Sequence, residues 1–264
     1  MAGLQGKVAF ITGSTGGIGR GAALRLAARG ANIVVNGRDP AKGAAVVAEI
    51  EKLGAKAIFA PGDALSKEDM DRVCAEAARV FGGIDMVVSN AGARDNDLRQ
   101  PDVRGPFRKI DLLKVTKAIA DTTLGKLQPV QSALPYMADR GGGSVVFVAS
   151  EGGRVPTPGQ TGTSTWAGGL IMSTKVLAKE LAKDRIRVNC VCVTIVRDTP
   201  SWDLMSAGGL NEQNQKQYEK IESRSPLGVA GSEDIGSVIA FLATDDSKYI
   251  TGATVSSTGG LTLS

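Results

Sequence analysis

The stretch KVAFITGSTGGIGR, residues 7–20, decides the fold: an apolar run at 8–11 breaks into a glycine-rich turn and then into a helix. Thr12 to Gly19 leave backbone amides bare where a strand meets a helix N-terminus. Unsatisfied N–H groups and the positive end of the helix dipole then point at one spot, which suits an anion such as a pyrophosphate. Gly13 permits the tight turn, Gly17 lets phosphates approach, and Gly19 lets the helix lie close on the strand. Thr15 and Ile18 belong to the same cradle. The apolar strand before the turn and the amphipathic helix after it supply the context such a motif needs.

Outward from this stretch, strands and helices alternate to the end of the chain, which predicts a parallel sheet covered on both faces. Strands are expected at 8–11, 32–36, 56–60, 86–89, 144–149, 186–193 and 254–257. Helices are expected near 17–29, 41–53, 67–81, 112–138, 164–183 and 233–244. The fold class is therefore α/β, a single-domain doubly wound (Rossmann) sheet of about seven strands spanning residues 1–264. Two stretches break the alternation: a charged loop at 93–109, and a polar segment at 197–225 that reads as a substrate cover over the carboxyl ends of the strands, where ligands bind in such sheets.

Composition narrows the function. The chain has 264 residues, 42% hydrophobic and 22% charged, with a net charge of +4. Its longest apolar runs fall short of the roughly 18 residues a membrane span requires. Residues 1–5 carry no secretory pattern, so a cytoplasmic location is expected. Lysines and arginines are interleaved with acids rather than clustered with aromatics, which argues against nucleic acid as a partner. The sequence contains no histidine. Imidazole catalysis is excluded, and a metal site would have to rely mainly on carboxylates, so none is expected. Cys74, Cys190 and Cys192 are too few and too badly spaced for a disulfide framework, and the latter two alternate with Val191 and Val193 as small core residues of a strand.

The second strand ends Val34-Val35-Asn36-Gly37-Arg38. A dinucleotide fold that prefers NAD places an acid here for the ribose 2′-hydroxyl, whereas an arginine accommodates a 2′-phosphate. Arg38 therefore favours NADP(H), with NAD(H) as the alternative and a solvated Arg38 paired to Asp39 as the simpler account. In the 93–109 loop, Arg94, Arg99, Arg104, Arg108 and Lys109 outnumber Asp95, Asp97 and Asp102. That excess either selects an anionic small-molecule substrate or is simply solvated.

Thr12-Gly13 through Gly19, Asp63 after the third strand, Asn90-Ala91-Gly92 after the fourth, and Tyr249-Ile250-Thr251-Gly252 to Gly259-Gly260 at the end together resemble the short-chain dehydrogenase/reductase family over nearly the whole chain. One departure is Thr258, where an aspartate is common. The resemblance implies that Asp63 holds the adenine, that Asn90 and Gly92 line the cofactor, and that the protein is an oligomer, a homodimer, a tetramer or a hetero-oligomer with an intact relative. It further implies a catalytic serine at the end of the fifth strand and a Tyr-x-x-x-Lys on the next helix. The tyrosine exchanges a proton with the substrate oxygen, and the lysine lowers its pKa from about 10 and holds the nicotinamide ribose.

Ser150 matches the serine. Thirteen residues on, Thr163 stands where the tyrosine belongs and Ala167 where the lysine belongs. No shifted pair rescues the pattern. The tyrosines are Tyr136, Tyr218 and Tyr249, and Lys175 lies about 12 Å further along a helix at 1.5 Å per residue. Thr122 replaces the asparagine that supports the lysine, Val193-Thr194 replaces a Pro-Gly, and the threonine usual beyond it comes one place late, as Thr199. These changes share one neighbourhood while the phosphate-binding half is intact.

The pattern suggests a pocket that holds a dinucleotide without tyrosine-based proton transfer, a loss that typically costs about 10²–10⁴ in rate. Candidate replacements are Glu151, Asp198, or a water held by Ser150 and Thr163, each carboxylate being alternatively a solvated loop residue. Three functions remain open: an atypical NADP(H)-dependent oxidoreductase acting on an alcohol or carbonyl; a lyase, hydratase or hydrolase reusing the pocket; and a dinucleotide-binding protein without turnover, such as the inactive subunit of a hetero-oligomer.

Overall fold

The computed structural model describes residues 3–92, 100, 102–206 and 219–262. Seven parallel strands, β1 (Val8–Ile11), β2 (Asn32–Gly37), β3 (Ala57–Pro61), β4 (Met86–Ser89), β5 (Gly143–Ser150), β6 (Ile186–Val193) and β7 (Thr254–Ser257), form one sheet in the order β3-β2-β1-β4-β5-β6-β7. The order reverses between β1 and β4, so the carboxyl ends of these two strands open the crevice in which doubly wound sheets bind ligands.

The inner strands β1, β2, β4, β5 and β6 have both faces buried, while the edge strands β3 and β7 are half-buried. Val8 and Phe10 of β1 join one core with α3 (Lys67–Phe81), α4 (Leu112–Asp139) and α5 (Thr161–Glu180). Ala9 and Ile11 join the other, with α1 (Gly17–Ala27), α2 (Pro40–Lys52) and the C-terminal helix Ser232–Ala243. This two-sided burial is why the strands read as unbroken apolar runs. The same alternation puts Cys190 and Cys192 in the first core and Val191 and Val193 in the second, as expected for small core residues.

Local signals account for the helices. In α3 the Ser66 hydroxyl accepts from the Asp69 N–H at 3.1 Å, Glu68 and Asp69 sit in the first turn, Met70, Val73, Cys74 and Ala77 form the buried stripe, and Gly82 ends the helix at φ 84°. Asp111 caps α4 by accepting from the Leu113 and Lys114 N–H groups at 2.9 and 3.3 Å.

Several boundaries differ from expectation. β2 runs on to Gly37 and β3 is displaced by one residue, because the Gly62 N–H extends the ladder to the Gly37 carbonyl at 3.1 Å. Helix α5 begins at Thr161 rather than 164, since the Gln160 carbonyl already accepts from the Ser164 N–H at 2.9 Å. Of the expected cover, a short helix α6 (Pro200–Ser206) is described, while 207–218, including Tyr218, lies outside the described residues, as do 93–99 of the charged loop. The C-terminal helix Ser232–Ala243 is α7 in this numbering. Among the described residues no helix is long and apolar enough to cross a membrane.

Candidate functional site

At the switch point the β1 turn is stapled to the β4 turn. The Asn90 side-chain amide donates to the carbonyls of Thr12 and Gly13, both at 3.2 Å, while the Thr12 hydroxyl accepts from the Asn90 and Ala91 N–H groups at 3.0 Å. Ser14 ties the same turn to β2: its hydroxyl donates to the Ile11 carbonyl at 2.7 Å and accepts from the Asn36 N–H at 3.0 Å. Gly13 has φ +61°, a left-handed conformation that a side chain would strain, and a Cβ on Gly19 would overlap the Gly13 carbonyl and lie 2.8 Å from Asn90 Nδ2. Gly16, at the N-cap of α1, has no side chain to cap it, and the first turn carries no acid. The helix start thus keeps amides for an anion, and its donor set fits a pyrophosphate. Thr199, at the start of the expected cover, caps α6 and sits against Gly17, with its Cγ2 3.3 Å from where a Cβ would stand.

Arg38 is exposed just beyond β2, and Gly37 beside it lies under Thr15. Asp39 Oδ1 is engaged as the cap of α2, accepting from the Ala41 and Lys42 N–H groups at 3.0 and 3.1 Å. Asp63 follows β3 and folds back, its carboxylate accepting from the Leu65 N–H at 3.0 Å and its own N–H donating to Asp69 at 2.8 Å. That backbone bond, with the Arg72 guanidinium second, holds the Asp69 carboxyl below its usual range.

Ser150 ends β5, and its hydroxyl accepts from the Gly152 N–H at 3.2 Å. Ser150 Oγ, Gln160 Oε1 and Thr163 Cγ2 each lie 3.4 Å from the point where a Cβ on Gly152 would sit, so the three side chains gather about one spot. Gln160, which sequence reasoning treats only as part of the approach to α5, is one of them. Ala167 is fully buried, and a Cβ on Gly153 would meet its carbonyl carbon at 2.7 Å and its Cβ at 2.9 Å. The turn after Ser150 therefore lies with its backbone against α5 at position 167.

Glu151 is not the solvated loop carboxylate that was one of the expectations. Its side chain is 2% exposed, both carboxylate oxygens accept from Arg154 Nη2 at 3.0 and 3.2 Å, and the Ser256 hydroxyl donates to Oε1 at 2.9 Å. The pair locks the 151–154 turn to β7. Asp198 is exposed at φ 60°, with Oδ2 3.2 Å from a Cβ position on Gly231.

One residue that sequence reasoning missed is Lys126. It lies on the inward face of α4 with Thr122, Pro129, Val130 and Ala133, a spacing of three and four that could have flagged a lysine in a buried stripe. Nζ donates to the Asn90 carbonyl at 2.6 Å and reaches the Ser89 carbonyl at 3.5 Å, and the Ser89 hydroxyl donates back to the Lys126 carbonyl at 2.7 Å. Burial pulls its pKa down to about 7. On the sheet side stands Cys190, whose Sγ is 4.0 Å from that of Cys192. The Cys192 contact, then the Lys126 charge, draw the Cys190 thiol down despite burial, while Cys192 is pushed up by the same contact and by burial.

A family model described as enoyl-(acyl carrier protein) reductase matches residues 13–262. The 3-oxoacyl-(acyl-carrier-protein) reductase FabG of Aquifex aeolicus is 34% identical over 260 residues, 98% of this chain and 98% of that protein. Glucose 1-dehydrogenase of Gluconobacter oxydans is 32% identical over 263 residues, 98% of this chain and 92% of that one. Among solved structures, a short-chain type dehydrogenase/reductase from Mycobacterium marinum superposes with a TM-score of 0.83 at 29% identity, covering 98% of this chain and 97% of that one. The chain belongs to the short-chain dehydrogenase/reductase family, a family of oxidoreductases that work with a nicotinamide dinucleotide.

Proposed function

We propose that the protein is an NADP(H)-dependent oxidoreductase that interconverts an alcohol and a carbonyl without a tyrosine and lysine in the usual places. The observation that carries this reading is the gathering of Ser150, Gln160 and Thr163 about Gly152, beside an Ala167 packed under Gly153. A nicotinamide dinucleotide, when bound, supplies or accepts the hydride. Ser150 and Thr163 orient the substrate oxygen and a water between them carries the proton. Glu151, fixed by Arg154 and Ser256, acts by holding the 151–154 turn that shapes the pocket wall.

The test is nicotinamide absorbance against a panel of ketones and aldehydes. An absorbance change that Ser150→Ala lowers by about 10²–10³ is the expected outcome, the scale of losing one donor to a developing oxyanion. Product without an absorbance change would favour the non-redox reading, and no product from any candidate the non-catalytic one.

In this reading Gly13, Thr15, Gly17, Ile18 and Gly19 cradle the pyrophosphate, Asp63 holds the adenine, and Asn90 and Gly92 line the nicotinamide half. Arg38 holds the 2′-phosphate. Arg38→Ala is expected to weaken NADPH by about tenfold, the scale of one charge-assisted hydrogen bond, and to leave NADH unchanged in calorimetry. Equal wild-type affinities for the two would sink the preference. Arg108 and Lys109 at the described end of the 93–109 loop are exposed, while Asp102 is paired with Lys114, and this supports an anionic substrate.

Thr199 against Gly17 sets the described start of the expected cover beside the glycine-rich turn, which supports a cover over the site. We also propose an oligomer: Leu113 is 84% exposed and Leu124 43% on α4, and Met172 58% and Val176 54% on α5, apolar area that a partner would cover. Light scattering at micromolar concentration should give a multiple of 27.2 kDa. A monomer that also fails to capture an intact relative would refute it.

A further inference from the structure

We propose that Lys126 is a positioning residue of the dinucleotide site, its ammonium holding the 90–92 turn against the glycine-rich loop. The inference rests on the dinucleotide reading above and adds to it a charge that enters from α4 rather than α5. The chain of contacts is continuous. Nζ holds the Asn90 carbonyl at 2.6 Å, and the Asn90 side chain holds the Thr12 and Gly13 carbonyls at 3.2 Å. A Cβ on Gly92 would lie 4.0 Å from Lys126 Cε and 3.7 Å from Thr122 Cγ2, so the lysine stem runs directly beneath the turn expected to line the cofactor.

Burial makes the choice of residue informative. Lys126 is 4% exposed and is the one buried lysine among the described residues. Taking an ammonium out of water is expensive unless it is paired, and methionine would fill the same space without that cost. The groups around it do not pair it with a carboxylate. The acceptors of Nζ among the described residues are the Ser89 and Asn90 carbonyls. From β6 it faces Cys190, which is in contact with Cys192, and Thr174 of α5 lies on Cys190. Arg154 and Glu151, beyond the cysteines, are paired with each other. A polyanionic ligand seated over the 90–92 turn would favour the ammonium, because opposite charges across a low-dielectric gap stabilise the ionised form. Affinity should therefore rise as pH falls through the range in which Lys126 gains its proton, near 7.

The experiment measures NADPH and NADH affinity by cofactor fluorescence at pH 6.5, 7.5 and 8.5 for wild type, Lys126→Gln and Lys126→Met, with circular dichroism as the check on folding. Glutamine keeps an N–H donor without the charge, and methionine removes both. Wild-type affinity is expected to fall about tenfold from pH 6.5 to 8.5, the equivalent of one unit of linked pKa shift. Both variants should show no such slope, and methionine should be the weaker binder. The 2′-phosphate's own second ionisation, near pH 6, is common to all three proteins and absent from NADH. A purely structural lysine would lower affinity equally at every pH. Parallel profiles in wild type and Lys126→Gln, or a wild-type NADH affinity that is flat with pH, overturns the proposal while leaving the function intact. A wild type that binds neither dinucleotide overturns the function reading and this inference together.

Discussion

At pH 6 the Lys126→Met protein is expected to be more stable than the wild type, and by pH 10 that advantage is expected to be gone. Burial lowers the folded-state pKa of Lys126 from 10.5 to about 7. Between those values the unfolded chain holds a proton that the folded protein has released. Stability of the wild type therefore rises with pH across that window, at about 1.4 kcal/mol per unit. Below pH 7 both states are protonated and the burial penalty is present in full, on the order of 5 kcal/mol at most. Methionine removes the penalty and its slope, but leaves the Asn90 carbonyl without its 2.6 Å partner, a loss of about 1–3 kcal/mol. The net gain at pH 6 is then about 2–4 kcal/mol, shrinking and then reversing as pH rises. Urea denaturation at half-unit steps from pH 6 to 10 reads this directly. The same pair in a Cys190→Ser background removes the thiol that faces Lys126. Stability curves that run parallel through the whole range would show that Lys126 keeps its proton on folding.

The glycine-rich turn was legible because everything that defines it is local. Val8 to Ile11, Gly13, Gly17 and Gly19 sit within one strand–turn–helix, and the spacing alone places bare amides at the start of α1. The inner strands were legible for a related reason, since two-sided burial makes runs such as VAFI of β1 and VVFVA of β5 almost wholly apolar. Lys126 was not, because its meaning depends on a partner far away in sequence: the carbonyl it holds belongs to Asn90, 36 residues earlier, on another element. The surroundings of Glu151 were hidden in the same way. A carboxylate after a strand reads as a loop residue until Arg154 and, 105 positions on, Ser256 close around it. The displaced start of α5 is a smaller case, since Gln160 has no side-chain cap to announce it and its role beside Ser150 and Thr163 comes from the fold.

Restoring the usual residues, with Thr163→Tyr and Ala167→Lys together, is expected to damage the protein rather than produce an ordinary ketone reductase. The two positions are unequal. Thr163 is only partly buried, so a phenol there can turn outward, and the single Thr163→Tyr variant should fold. Ala167 has no exposed surface, and the Gly153 backbone is so close that a Cβ on that glycine would lie 2.9 Å from the Ala167 Cβ. A lysine at 167 has to push the 151–153 turn away or bury an unpaired ammonium beneath it. Overpacking of this kind costs about 1–3 kcal/mol and an unpaired buried charge several more. Moving the turn also pulls Glu151 from Arg154 and Ser256, leaving charges buried without their partners. A loss of at least about 3 kcal/mol in denaturant unfolding is expected for Ala167→Lys, with or without the tyrosine. Neither variant should gain ketone reduction. Thr163→Tyr should also slow whatever reaction the wild type performs, because it removes the small hydroxyl side chain that stands beside Ser150 and Gln160. The opposite result would be a double variant of wild-type stability that reduces ketones strongly, beside a wild type with no activity of any kind. It would mean that the turn yields readily and that the pocket is an ordinary reductase site silenced by two substitutions, rather than one rebuilt around a different proton path.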